Sequence, residues 1–277
     1  MITSAQRERA ERFMRMHYDG MFVLPNAWDA GSALVFEKQG FQAVATSSAG
    51  IAYTYGYPDG EHISFDDVAS CVEHITRRIS IPLSVDIERG YGETPEEIRD
   101  NARRLLQLGA VGFNIEDGRP DGQLEDLGSA LERIAALVLL KDELNLDFVV
   151  NARTCVFLLS KADAETKLGV AIERGNAFRQ AGADCIFVPC VVDRGIAGQL
   201  VKNIDAPINL LINAVLYDFE EIAQIGVRRL SLGCYPVRSV LNHLISIARD
   251  AQDGTAARLL DHSFSSREAN RFFEMRR

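Results

Sequence analysis

The chain is poor in the residues that tie a fold together covalently. Its five cysteines (Cys71, Cys155, Cys185, Cys190 and Cys234) are odd in number, widely spaced and form no CxxC pair. That excludes a disulfide framework and a structural zinc site as organising devices, and it fits a reducing compartment. Long apolar runs are missing too: none approaches the roughly 20 residues needed to span a bilayer. The first segment, MITSAQRERAERF, is charged from Arg7 onward and carries no apolar stretch of signal-peptide type, so a cytoplasmic location is expected. Positive charge is in short supply: 30 Lys and Arg against 39 Asp and Glu leave a net charge of −9, which disfavours nucleic acid and anionic membranes as partners.

Other absences narrow the chemistry. The only lysines are Lys38, Lys141, Lys161, Lys167 and Lys202, and none ends a predicted strand, so a Schiff-base aldolase or a pyridoxal phosphate enzyme is disfavoured. Four of the five histidines (His17, His74, His243 and His262) fall in helical segments and only His62 lies in a loop, which leaves a His-based triad without a home. No GxGxxG turn follows an early strand, and that counts against the competing architecture, a doubly wound open sheet.

What is present is a repeating pattern. Short apolar, β-branched runs alternate eight times with longer amphipathic segments: MFVLPN (21–26), QAVATSS (42–48), PLSVDIE (82–88), GFNIED (112–117), DFVVNAR (147–153), DCIFVP (184–189), INLLIN (208–213) and RRLSLG (228–233). Continuous apolar runs suit parallel strands covered on both faces. Thr94-Pro95-Glu96-Glu97 reads as an N-cap, a Pro at the first helical position and an acidic first turn. Glycine recurs where such helices turn back into strands, at Gly40, Gly109, Gly182 and Gly226. Eight βα units in 277 residues, of which 47% are hydrophobic, predict an α/β fold: one (β/α)8 TIM barrel of parallel strands as a single domain over 1–277, with 236–277 as a C-terminal helical extension.

A barrel of this kind carries its site at the C-terminal ends of the strands. The polar residues expected there are Asn26, Ser47 and Ser48, Asp86 and Glu88, Glu116 and Asp117, Asn151 and Arg153, and Asn209 or Asn213. Asp86 and Glu88 stand two apart on one predicted strand, so both side chains should share a face. Glu116 ends the next strand. Converging carboxylates repel and lose hydration, so they need a counter-charge, and an all-oxygen set without His or Cys suits a hard cation: Mg²⁺, with Mn²⁺ as the alternative. The plainer reading is that these acids cap helices or meet arginines. Arg153 has two open readings: its fork grips a substrate carboxylate, or it neutralises Glu116 or Asp86.

The phrases LPNAWDAGSA (24–33), GFQAVATSSAG (40–50), YGYPDGE (55–61), SVDIERGYGE (84–93), GFNIEDG (112–118), NAR (151–153) and GADCIFVP (182–189) carry a resemblance to the isocitrate lyase/phosphoenolpyruvate mutase superfamily. It runs from about Leu24 to about Leu244. The resemblance implies a Mg²⁺-dependent lyase acting on a small 2-oxo acid or 2-hydroxy-dicarboxylate through an enolate. It assigns Asp86 as a direct metal ligand, with Glu88 and Glu116 reaching the ion mainly through water. It places Ser47, Ser48 and Ala49 at the 2-oxo-carboxylate end of the substrate, together with Asp86, Arg153 and Asn209. Asp59 would be a loop acid near the reacting group, so that Asp59, Glu116 and Arg153 form the catalytic set. It also implies a dimer of dimers that exchanges a C-terminal helix, either Pro236–Asp250 or Ser263–Met275. The chain departs from the family at 118–127, GRPDGQLEDL, where isocitrate-type lyases carry a catalytic cysteine and this sequence has no Cys, His or Lys. Phosphonopyruvate-processing members have a histidine where Pro189 stands here. The expectation for 118–127 is a mobile lid in which Asp121, Glu125 and Asp126 are the acids available as proton donors.

Overall fold

The computed structural model describes residues 2–261 and 263–274. The eight expected strands form, and the first is split. Strands β1 (Phe22–Leu24) and β2 (Asn26–Ala27) flank Pro25, which has no N–H to give to a ladder. The rest are β3 (Val44–Thr46), β4 (Leu83–Asp86), β5 (Gly112–Glu116), β6 (Val149–Arg153), β7 (Cys185–Val188), β8 (Ile208–Leu211) and β9 (Arg229–Ser231). All pairings are parallel, in the order β1-β9-β8-β7-β6-β5-β4-β3-β2. The break at Pro25 is where the first strand passes from one neighbour to the other: β1 pairs with β9 and β2 with β3, which closes the barrel.

The helices between the strands begin and end as the sequence prescribes. Thr94 caps helix Pro95–Gln107 in a full capping box, with its hydroxyl accepting from the Glu97 N–H and the Glu97 carboxylate accepting from the Thr94 N–H. Gly182 holds φ 101° at the turn into β7, and a Cβ there would lie 2.9 Å from Val138 Cγ2, so both backbone and packing require glycine. Phe113 and Phe148 stack edge to face at 5.4 Å between the strands and the helical layer. Helix Ser4–Met16 lies across the N-terminal end of the barrel. Its Gln6 amide donates to the carbonyls of Leu106 and Ala110, and its Phe13, fully buried, packs against Phe22 and His17. Removing a ring such as that of Phe13 costs about 3–5 kcal/mol.

Two elements differ from expectation. The second predicted strand stops at Thr46, because Ser47 caps a short helix, Ser48–Thr54, by accepting from the Gly50 N–H. Beyond β9 the chain forms helix Tyr235–Gln252 and two shorter ones, Ala257–Asp261 and Ser266–Phe273. The last of these covers most of the second candidate for the exchanged helix, whose Met275 lies outside the described residues. No helix among the described residues is long and apolar enough to cross a membrane.

Candidate active site

Asp86, the last residue of β4, is held from three sides. Its Oδ2 accepts from the Ser48 hydroxyl at 2.9 Å and from the Ser48 N–H at 3.3 Å; its Oδ1 accepts from Asn114 Nδ2 at 2.8 Å. The Asp86 N–H donates to Thr46 Oγ1 at 2.9 Å. Ser48 is available because the chain turns into a helix at Ser47, and Asn114 because it is the register partner of Asp86 on β5. Asn114 is in turn oriented by Asn151 Nδ2 at 3.0 Å.

Glu88 reaches the site by a different route from the one expected. β4 ends at Asp86, and Glu88 lies beyond it in the left-handed region at φ 49°, so strand periodicity does not set its direction. The turn that does so is tied by Glu61, whose Oε1 accepts from the N–H groups of Arg89 at 2.9 Å and Tyr91 at 3.1 Å. Glu88 is buried, and its Oε1 accepts from the Tyr91 hydroxyl at 2.9 Å. Burial, then the charges of Asp86 and Asp59, push its carboxyl up to about 8.

Glu116 and Arg153 are register partners at the ends of β5 and β6, and Arg153 Nη1 lies 2.7 Å from Glu116 Oε2. Of the two readings of Arg153, neutralisation of Glu116 is what the geometry displays; the buried Nε has no partner. Burial pushes the Glu116 carboxyl up to about 7, with Arg153 opposing and Asp86 and Asp59 adding to the rise. Asp59 sits on an exposed loop, yet its carboxyl is raised as well, by partial burial and then by Asp86. Four acids therefore feel one another's charge: Asp59, Asp86, Glu88 and Glu116. One guanidinium, Arg153, stands among them.

Whether this set fits Mg²⁺ follows from its chemistry. Every donor is an oxygen, and the repulsion that raises Glu88 and Glu116 is what a dication removes. Among the described residues no three His, Cys, Asp or Glu side chains stand close enough to ligate one ion together. The set accordingly fits an ion that keeps several waters, with Asp86 as its nearest ligand, rather than a closed protein cage.

The remaining candidates fall as follows. Ala49 is buried in the first turn of helix Ser48–Thr54. There the Ser48 N–H goes to Asp86 and the Gly50 N–H to Ser47 Oγ. Asn209 is fully buried in β8, its Oδ1 accepting from the Ser231 hydroxyl at 3.1 Å. Asp117 turns away from the site to Arg174 at 2.7 Å and to the Cys155 N–H. The 118–127 segment is anchored rather than free. Gly118 bridges to Leu124, and Glu125 is clamped by Arg89 at 3.2 Å and Arg133 at 3.1 Å. Asp126 caps helix Leu127–Leu144, and Asp121 pairs with Arg119 at 2.8 Å. All three acids offered as proton donors are thus engaged in holding the segment. A cavity of about 1150 Å³ lined by Arg12, Lys38, Arg78 and Phe272 lies at the opposite, N-terminal end of the strands and takes no part in the site.

Sequence reasoning missed Asn114, Tyr91 and Glu61. Asn114 was legible, since it lies two residues before Glu116 and so on the same face. Tyr91 and Glu61 act through a loop whose course no periodicity reports.

A parallel barrel with an acid-rich mouth at its C-terminal end defines the class: a (β/α)8 enzyme scaffold whose site gathers oxygen ligands. The comparisons give the family. The sequence model of phosphoenolpyruvate phosphomutase matches residues 13–252, and the chain belongs to this family, within the isocitrate lyase/phosphoenolpyruvate mutase superfamily. It is 34% identical over 243 residues to the uncharacterized protein Rv1998c of Mycobacterium tuberculosis, covering 87% of this chain and 89% of that one. It is 27% identical over 252 residues to the 2-methylisocitrate lyase of Escherichia coli K12, covering 84% and 81%. A crystal structure from Burkholderia cenocepacia J2315, provisionally described as a lyase/mutase, superposes with a TM-score of 0.91 at 32% identity, covering 98% of each chain.

Proposed function

We propose that this chain is a Mg²⁺-dependent carbon–carbon lyase for a small 2-oxo acid or 2-hydroxy-dicarboxylate. The carrying observation is the fixed Asp86 carboxylate surrounded by Asp59, Glu88 and Glu116, acids that oppose one another unless a cation joins them. Its family relationship to lyases such as 2-methylisocitrate lyase supports the reading.

Asp86 would hold the ion directly, with Glu88 and Glu116 acting through its waters. When bound, Mg²⁺ supplies Lewis-acid polarisation of a 2-oxo carbonyl and offsets the charge of the enolate left by C–C cleavage. The chain's own groups do the rest. Ser47 shapes the turn that presents the first-turn amides of helix Ser48–Thr54, whose dipole favours a substrate carboxylate, and the Ala49 N–H is the donor assigned to it. Arg153, braced by Glu116, adds a fixed positive charge beside the developing enolate. Asn209 would contact the substrate from below, and Asp59 would hold or move the proton at the reacting carbon. The lyase works in the cytoplasm as a dimer of dimers, assembled through helix Tyr235–Gln252. That helix buries only Val237, while Val240, Leu244 and Ile245 are about half exposed.

A panel of 2-methylisocitrate-type acids, oxaloacetate and phosphonopyruvate, each with Mg²⁺ and with EDTA, tests this. Magnesium-dependent release of a 2-oxo acid or oxalate supports it. Turnover of phosphonopyruvate alone would replace it with C–P chemistry, for which strand-end cations are few. Metal-dependent oxalate binding without any turnover would make the chain a 2-oxo acid binder.

A further inference from the structure

Below Asp86 the barrel lumen is polar. Ser84, Asn151, Asn209 and Arg229 sit on β4, β6, β8 and β9, all at most 2% exposed. Arg229 is the outstanding member. Its Nε and Nη1 have no partner, and no carboxylate among the described residues makes an ion pair with it. The acid whose charge it feels, Asp86, is already committed to Ser48 and Asn114. Burial lowers the guanidinium to about 10, which leaves it charged at neutral pH. Its neighbours are aromatic: the Phe13 ring centroid lies 5.9 Å from Cζ, and Phe22 is its register partner on β1. On the other side its register partner is Asn209, whose Nδ2 is also without a partner. The buried Ser84 hydroxyl is unpaired as well.

A buried cation without a counter-charge is strongly unfavourable. Water would satisfy the N–H groups but leave the charge. The unpartnered groups at Arg229, Asn209 and Ser84 are all able to donate, which is the signature of an anion site. The space is narrow: a Cβ on Gly112 would lie 2.9 Å from Phe13 Cε1 and 3.3 Å from Ser84 Oγ, too close for a polyatomic ion. We propose that the lumen encloses one small monovalent inorganic anion of halide size, held by Arg229 Nε and Nη1 and Asn209 Nδ2, with the Ser84 hydroxyl donating from the facing wall. Helix Ser4–Met16 seals that end, so the ion enters as the chain folds and acts as a structural ligand. This site is independent of the lyase reading.

The test starts from intact chain unfolded in urea and refolded in buffers of equal ionic strength containing sodium gluconate, chloride or bromide. The unfolding equilibrium constant should fall about tenfold for each tenfold rise in halide above its Kd, and should not respond to gluconate. Crystals of bromide-refolded protein should show an anomalous bromine peak beside Arg229 and Asn209. Arg229→Met, which removes the charge at similar volume, should abolish the halide dependence. Stability indifferent to halide, or a bromide map with only water at Arg229, overturns the proposal. Should Arg229→Met fail to fold, the wild-type bromide map decides alone.

Discussion

Arg153 Nη1 stands 2.7 Å from Glu116 Oε2, and the two residues are register partners at the C-terminal ends of β5 and β6. The pair is braced by the sheet, so its geometry is set before substrate arrives. Arg153→Lys keeps a charge but loses the planar fork, and Arg153→Met loses both. We expect kcat/KM to fall about 10²–10³-fold for Arg153→Met, the usual loss for one charge-stabilising group, and less for Arg153→Lys. Steady-state kinetics on whichever acid of the panel is turned over gives the ratio; equal activity in both variants would leave Arg153 a purely structural partner of Glu116.

Glu125 is a structural acid. Replacing it by Gln leaves Arg89 and Arg133 without their shared partner, and unfolding in urea should reveal a loss of about 2–4 kcal/mol. Asp121→Asn, at the exposed tip, should leave both stability and turnover within twofold. A collapse of kcat in Asp121→Asn with stability unchanged would restore the segment as the source of the catalytic proton.

The barrel itself was legible in the sequence because each parallel strand is an apolar run and each helix carries its own cap, as at Thr94 and Gly182. Asp86, Glu116 and Arg153 were legible because strand ends become barrel mouth. The course of the chain after a strand was not. Ser47 turns into a helix cap and Glu88 into a left-handed turn because Glu61, 27 residues earlier, binds the backbone of Arg89 and Tyr91. Arg229 looked like the start of an ordinary strand, and only the closure of the barrel shows that it lies inside.

The raised carboxyls make stability depend on pH and on metal. Glu88 and Glu116 rise from about 4.5 to about 8 and about 7, so the folded chain holds protons that the unfolded chain releases. Without metal, stability should therefore fall as pH rises from about 4.5 through 8, by up to roughly 1.4 kcal/mol per pH unit for each group. Mg²⁺ should reverse the trend, because it favours the ionised forms. Melting temperatures at pH 5.5, 7 and 8.5, with EDTA and with Mg²⁺, read both arms; parallel curves would mean that the ion does not engage these acids.

The exposed apolar face of helix Tyr235–Gln252 should hold the assembly together. Leu244→Glu, at a position 56% exposed in the single chain, is expected to lower the mass seen by light scattering to that of a smaller species while the circular dichroism stays native. An unchanged mass would assign the interface elsewhere.

Metal binding at Asp86 carries the functional account. Manganese titration followed by electron paramagnetic resonance should find one ion per chain in the wild type, displaced by Mg²⁺, and at least a hundredfold weaker binding in Asp86→Asn. Stoichiometric Mn²⁺ binding of undiminished affinity in Asp86→Asn, or none in the wild type, contradicts it.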